Sequence, residues 1–193
     1  MLTTALLVAA YSQGIFPMAV DEAGTIGWFS PDPRAIIPLD EGFHIPHGLQ
    51  RTLKKNVFEV TANRDFARVI QACSTSHGKT WISQEIMAAY TGLHQAGRAH
   101  SVEVWQDGEL AGGLYGVHLG GAFFGERMFH HRTDASKVAL VWLVERLRRQ
   151  GFSLLDTQWT TPHLMRFGAH EIPRGRYLRL LRAALGQDRT FPG

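Results

Sequence analysis

The chain begins with an apolar run, Met1 to Ala10, which predicts a core-facing helix over residues 2–12. It lacks the basic start of a signal peptide and is shorter than the ~20 residues a membrane span needs. Gly14, Pro17, Gly24, Gly27, Pro31, Pro33 and Pro38 follow, and proline this dense predicts irregular chain with neither a helix nor a central strand. The pattern then predicts a short helix over Leu49 to Lys55, a strand over Val57 to Thr61, and a helix over Asp65 to Ala72 with Phe66, Val69 and Ile70 as its apolar stripe. Ser83 is a good N-cap for a helix to Gln95, and Gly97 ends it. The clearest signal comes next. Ser101 to Gln106 alternates, Asp107-Gly108 is a tight-turn dipeptide, Leu110 to Leu119 is a second strand, and Gly120-Gly121 turns into Ala122 to Glu126. Together these predict a three-stranded antiparallel meander. Asp134 is the expected cap of a strongly apolar helix to Gln150, stopped by Gly151, and Phe152 to Asp156 reads as a short, buried strand. The last helix, 174–185, gathers Tyr177, Leu178, Leu181, Ala184 and Leu185 on one face and Arg176, Arg179 and Arg182 on the other. Helices and strands mixed around a largely antiparallel sheet make the expected class α+β.

Composition narrows the picture. With 193 residues, 45% hydrophobic and 19% charged, the chain fits one globular domain and excludes disorder, while its 20 glycines fall without period and exclude collagen-like and solenoid architectures. A single cysteine, Cys73, rules out an internal disulfide and points to a reducing compartment, so a cytoplasmic location is expected. Net charge is only +3 but uneven: residues 146–193 carry nine Arg against Asp156, Glu171 and Asp188, about +6, and the remainder is about −3. Sixteen of the 20 cations are Arg, whose planar fork suits phosphate. Two readings stay open here, an anionic partner and a merely solvated basic helix.

Two apolar segments end in polar side chains that a strand terminus would hold rigidly. One is Ala122 to Glu126; the other breaks at Asp156, with Thr157 and Gln158 following. Period two puts Asp156 and Gln158 on one side of the strand. A carboxylate beside an amide and opposite a second carboxylate can orient and deprotonate an amine, and a buried capping network is the structural alternative. Other candidates are thinner. His130-His131 and His44-Ile45-Pro46-His47 lack the Cys pair or helical His spacing that would complete a metal site, and Cys73 at a helix end reads as packing. Gly112-Gly113 and Gly120-Gly121 lack the ending of a phosphate loop and read as turns or places where a ligand approaches the backbone.

Taken in order and spacing, the strings Gly14-Ile-Phe-Pro17, Trp28-Phe-Ser-Pro-Asp-Pro-Arg34, Thr80-Trp-Ile82, His100-Ser-Val-Glu-Val-Trp105, Gly112-Gly-Leu-Tyr-Gly116, Phe124-Gly-Glu-Arg-Met-Phe129, Ala135-Ser-Lys137, Asp156-Thr-Gln158 and His163-Leu164 through Gly168-Ala169 resemble those of leucyl/phenylalanyl-tRNA-protein transferases. The resemblance runs from about Ala10 to Leu181. It implies an acetyltransferase-like (GNAT-like) fold and an enzyme that moves Leu or Phe, with Met as a further donor side chain, from aminoacyl-tRNA to acceptor proteins bearing N-terminal Arg or Lys, marking them for degradation. It divides the chain into a truncated N-terminal segment, 1–40, and a transferase domain, 41–193. It implies no metal and no cofactor, because the aminoacyl ester is already activated.

The resemblance also assigns roles. Asp156 and Gln158 belong at the reacting amine, with Asp156 expected to polarise Gln158, whose amide oxygen accepts from the nucleophile, while Glu126 fixes cationic groups of the acceptor. Leu114, Phe123, Met128, Leu140, Leu143, Leu147 and Leu155 are expected to form the apolar pocket, although Leu140, Leu143 and Leu147 also lie at core-facing helical spacing. Trp81 resembles the residue that stacks the terminal adenosine. Lys54 and Lys55, with Arg146, Arg148, Arg149, Arg176, Arg179 and Arg182, are the expected contacts to tRNA phosphates. The chain departs from the family pattern at Met18, where the family usually has Trp, and at Arg127, where it usually has Ser. Two other functions fit the same implied fold: an acetyl-CoA-dependent N-acetyltransferase, and an RNA-binding protein that has lost transfer. A monomer without membrane attachment is the expected state.

Overall fold

The computed structural model describes residues 1–76 and 82–191. Its first helix, α1 (Thr4–Ser12), starts where the Thr3 hydroxyl accepts from the Leu6 N–H, and it buries Leu7, Ala10 and Tyr11. The proline-rich stretch after it is more ordered than its composition predicts. β1 (Phe16–Ala19) and β2 (Ile26–Phe29) form a separate antiparallel hairpin in which Pro17 faces Trp28. Both strands of such a pair are edges, so the missing N–H is tolerated. The expectation of no central strand fails at β3 (Arg34–Ile37), which is paired on both sides. Pro33 and Pro38 bracket these four residues without interrupting them, so every N–H inside the strand remains available to the ladder.

The chain continues through α2 (His47–Lys55), β4 (Glu59–Ala62), α3 (Phe66–Thr75), α4 (Gln84–Gln95), β5 (Ala99–Gln106), β6 (Glu109–Leu119), β7 (Ala122–His130), α5 (Ala135–Arg149), β8 (Leu154–Gln158), α6 (Pro162–Met165), β9 (His170–Ile172) and α7 (Arg174–Leu185). The larger sheet has the order β4-β5-β6-β7-β8-β3-β9 and is antiparallel except between β7 and β8. Apolar side chains of α1, α3, α4 and α7 cover one face, and those of α2 and α5 cover the other. The fold is therefore α+β with a mostly antiparallel sheet flanked by helices. No helix among the described residues is long and apolar enough to cross a membrane.

Asp134 does not cap α5 as expected. Its backbone is left-handed (φ 67°) and its carboxylate turns instead to Lys137 Nζ and Thr52 Oγ1, each at 2.8 Å, which ties α5 to α2. Gly112 lies within β6 rather than at a turn: a Cβ there would stand 2.7 Å from the Ala135 Cβ, so the glycine lets the start of α5 lie against β6.

The feature that makes the site is the end of the parallel pairing. β7 and β8 match at Ala122 with Leu154, Phe123 with Leu155 and Phe124 with Asp156, and the ladder stops there although both strands continue. Each strand carries a bulge just beyond this point. On β7, Gly125 faces Gly116 and Arg127 faces Tyr115, which leaves Glu126 unmatched; on β8, Asp156 faces Ile36 and Gln158 faces Ala35, which leaves Thr157 unmatched. An extra residue bends its strand and raises its twist, so two bulges side by side drive the strands apart into a wedge.

Candidate active site

The wedge contains a cavity of about 260 Å³. Ile37 of β3, Leu114 and Tyr115 of β6, Gly125 to Met128 of β7, Leu140 and Leu143 of α5, Leu155 and Thr157 of β8, and Thr161, His163 and Leu164 around α6 line it. Of the apolar residues nominated from the sequence, Leu114, Met128, Leu140, Leu143 and Leu155 are on its walls. Phe123 and Leu147 are not; both are fully buried in the core packed beneath α5, with the Phe123 ring 5.4 Å from that of Phe191. Trp81 lies outside the described residues.

Glu126 is the acidic group of the cavity. Its Oε1 accepts from the Tyr11 hydroxyl, which is in turn bonded to Tyr90, and Gln158 Nε2 reaches Oε1 and Oε2 at 3.3 and 3.4 Å. Burial pushes the Glu126 carboxyl up to about 8, against the Tyr11 and Gln158 hydrogen bonds, which favour the charged form. Burial and the Glu126 charge together push the hydroxyls of Tyr11, Tyr90 and Tyr115 up as well, which keeps them protonated.

Asp156 differs from what strand period alone suggests. It is fully buried, does not line the cavity, and every lone pair of its carboxylate is engaged. Oδ1 accepts from Arg34 Nε at 3.0 Å and from the Gln158 backbone N–H at 2.7 Å; Oδ2 accepts from Arg34 Nη2 at 2.6 Å and from the Tyr177 hydroxyl at 2.7 Å. The expected polarisation of the Gln158 amide is therefore replaced by a grip on the Gln158 backbone, whose φ of 67° belongs to the left-handed region. Arg34 is itself wholly buried, donates to the Gly14 carbonyl at 2.7 Å, and lies over the Tyr177 ring at 4.3 Å. Arg34, Tyr11, Tyr177 and Thr157 were not singled out from the sequence. Arg34 closes one of the family strings and Thr157 sits inside another, but Tyr11 and Tyr177 carry no signal beyond the apolar face of a helix.

The remaining candidates are scattered. The Cys73 thiol is fully buried and pushed up by that burial, which makes it a packing group. Among the described residues, no group of three or more His, Cys, Asp or Glu stands together as metal ligands would. Lys54, Lys55 and Arg149 are exposed on the α2/α5 side of the sheet, and Arg146 stacks over Trp142 there at 4.5 Å. Arg148 is occupied by the Leu39 carbonyl at 2.8 Å and the Asp40 carbonyl. Arg176, Arg179 and Arg182 are on α7, across the sheet from the others, so the eight cations do not form one surface.

The structure thus sets an apolar cavity with one buried carboxyl on its wall between the only two parallel strands paired in the larger sheet among the described residues. Sequence comparison supplies the rest. Residues 36–182 match the family profile for leucyl/phenylalanyl-tRNA protein transferase, and residues 1–32 match that of the N-terminal domain of the same proteins. Proteins named leucyl/phenylalanyl-tRNA--protein transferase are 58% identical in Herpetosiphon aurantiacus, over 98% of both chains, and 55% identical in Akkermansia muciniphila, over 97% of this chain and 98% of that one. The chain belongs to the leucyl/phenylalanyl-tRNA-protein transferase family, and it is an aminoacyltransferase. Among solved structures it aligns with L-PGS from Bacillus licheniformis (14% identity, TM-score 0.45, 83% of this chain and 54% of that one) and with a ribosomal-protein-alanine N-acetyltransferase from Brucella melitensis (17% identity, TM-score 0.38, 51% and 77%).

Proposed function

We propose that this enzyme takes Leu or Phe, and Met alongside them, from aminoacyl-tRNA and joins it to the N-terminal Arg or Lys of acceptor proteins in the cytoplasm, creating a degradation signal. The observation that carries this reading is the apolar cavity bounded by Leu114, Met128, Leu140, Leu143 and Leu155 with Glu126 on its wall. Such a slot takes a large unbranched-at-Cβ or aromatic side chain and separates candidates by only about 1–3 kcal/mol per methylene, which is why Met belongs with Leu and Phe.

In the reaction the acceptor's α-amine attacks the ester carbonyl carbon. A C–N bond forms, the ester C–O bond to the terminal ribose breaks, and the proton lost by nitrogen ends on the ribose oxygen. Glu126 is the group in reach to carry that proton. Burial raises its carboxyl to about 8, into the range of a free α-amine, which suits it to exchange a proton with the amine. Gln158 spends its Nε2 on Glu126, which leaves its amide oxygen to accept an N–H of the attacking amine. Asp156, saturated by Arg34, Tyr177 and the Gln158 backbone, is a positioning residue: it locks the turn of chain from which Gln158 projects.

The test is direct. Purified protein is incubated with labelled Leu-, Phe- and Met-tRNA and with peptides beginning with Arg, Lys, Asp or Glu, with and without acetyl-CoA. Label transferred to the Arg and Lys peptides in the absence of acetyl-CoA is the expected result. Acetylation instead of aminoacylation, or tight tRNA binding with no product, overturns the reading.

A further inference from the structure

A second cavity, of about 340 Å³, adjoins the first on the α5 side, and Met128 and His163 line both. His130 and the start of α5, with Asp134, Ser136 and Lys137, supply more of its wall. Ala135-Ser-Lys137 is one of the family strings, and the reaction scheme leaves it without a role. Three features of this turn call for an anion. First, Asp134 provides no side-chain cap, and among the described residues the Ser136 and Lys137 N–H groups have no partner, so the positive end of a 15-residue helix is left open. Second, Ser136 is only 6% exposed, yet its hydroxyl bonds to none of the described residues. The unpaired hydroxyl oxygens of Tyr115 and Thr157 are sealed from solvent, whereas that of Ser136 is not, so a ligand in this cavity can reach it. Third, the local field is positive. Burial holds the His163 imidazole below its ordinary value, and Lys137, Arg166 and His130 lower it further, with Asp134 acting in the opposite sense.

We infer that this cavity is an anion site, and that it holds the phosphodiester on the 5′ side of the donor's terminal nucleoside through the Ser136 hydroxyl, the open N–H groups of Ser136 and Lys137, and the Lys137 ammonium. This rests on the function proposed above and deepens it, by fixing where the first phosphate of the tRNA lies. The chemistry of the two substrates selects the donor. The acceptor brings an amine to the reacting centre, and a cationic side chain with it, so an anion held beside that centre belongs to the tRNA. With the aminoacyl side chain against Leu140 and Leu143, the nearest negative charge along the donor is the phosphate one ribose away, and the second cavity meets the first at Met128 and His163. The charges suit a singly charged diester. Lys137 Nζ is 2.8 Å from Asp134 Oδ1, but 33% of its side chain is exposed and an ammonium has three donors, so it serves a second anion as well. Asp134 is tied down on its other oxygen by Thr52. An uncapped helix N-terminus with a serine and a lysine in its first turn presents the donors that phosphate oxygens accept from.

Two non-reacting donors test this: the 3′-amide analogue of phenylalanyl-adenosine, and the same molecule carrying a 5′-phosphate as its methyl diester. The wild-type protein should bind the diester about tenfold more tightly, and the gain should shrink as salt rises. Ser136→Ala and Lys137→Gln should each remove most of that gain and leave affinity for the uncharged analogue unchanged. Each variant is its own control, because a general loss of structure weakens both analogues alike. Ser136→Ala breaks no hydrogen bond to another described residue and should unfold at the wild-type temperature. Equal affinities for the two analogues in the wild type, or variants that keep the full gain, overturn the inference and leave the proposed function standing. Equal weakening of both analogues in Ser136→Ala also overturns it, because the serine then belongs to the fold. Coenzyme A that binds more tightly than the diester, and is lost in Lys137→Gln, assigns the site to another donor and overturns it too. A wild type that shows the phosphate-dependent gain but transfers no Phe from Phe-tRNA counts against the proposed function alone, and failure of both analogues to bind counts against both.

Discussion

The proposed mechanism asks Glu126 to meet two demands that conflict in water, to be close to a cationic amine and to be neutral often enough to exchange a proton with it. Its carboxyl is raised from the ordinary Glu value near 4.3 to about 8 by burial, so the folded state holds the proton more tightly than the unfolded chain does. The sign follows from that. The stabilisation from this group is complete below about pH 4.3 and is lost as pH climbs through about 8, because the charged form is the one that burial penalises. The melting temperature of Glu126→Gln relative to wild type should therefore rise between pH 5 and 9, on top of the loss towards pH 5 that the buried, neutral His100 and His118 give both proteins. Transfer by the wild type should rise with pH to a midpoint near 8, where Glu126 and the acceptor amine both titrate, and the variant should keep only the amine's part of that dependence and lose most of the rate. Parallel melting curves for the two proteins across this range would show that Glu126 is not the group responsible. That a carboxylate closes the run Ala122 to Glu126 was legible from the sequence. That it is the unmatched residue of a bulge, and so aimed into the cavity, was not, since nothing local marks a register change.

At the level of elements, the short strand β3 matters more than its length suggests. It supplies Ile37 to the cavity wall and Arg34 to Asp156, and through Arg34 it also holds the Gly14 carbonyl between α1 and β1. Arg34 and Asp156 are both wholly buried, so removing one partner leaves the other charge stranded. Arg34→Met should cost about 3–5 kcal/mol in chemical denaturation, and Arg34→Met combined with Asp156→Leu should recover much of that. Activity should not return with stability in the double variant, because the Gln158 backbone loses its acceptor. Recovery of both would reduce the pair to a packing device. Every helix but the four-residue α6, and the β5-β6-β7 meander, were readable because their signals, alternation, caps and turn dipeptides, lie within a few residues of one another. β3 and the three-residue β9 are too short for any period to emerge, and the flanking prolines argue against the former until its neighbours are seen.

For the whole molecule, the sheet separates the basic residues into two groups. The cavity draws Leu140 and Leu143 from α5, on the side that also carries Lys54, Lys55, Arg146 and Arg149, whereas Arg176, Arg179 and Arg182 ride on α7 behind the sheet. Entry of the aminoacyl end from the α5 side is the orientation we propose, with the acceptor stem lying towards α2. Lys54→Glu with Lys55→Glu should weaken tRNA binding and reduce the slope of log affinity against log salt by roughly 1 per lost phosphate contact, while Arg176→Glu with Arg179→Glu should change the slope little. Filter binding across a salt series decides it, and equal losses from the two double variants would count against this orientation.

Local pattern was enough to specify the α+β class, the meander and the helices, and the ordered motifs carried the family, because each of these is written in neighbouring residues or in their order along the chain. Which polar groups face the cavity was settled only where strands from distant parts of the chain met. Two one-residue register shifts, each the sum of pairing across two strands, turned Glu126 and Thr157 into the wedge and left Asp156 to be saturated by Arg34, 122 positions away in the chain. Similarly, Leu143 reached the cavity while Leu147, one helical turn further on, stayed in the core, because α5 passes the end of the wedge between them. Such choices depend on three-dimensional registration of several elements at once, and a linear pattern contains no term for it.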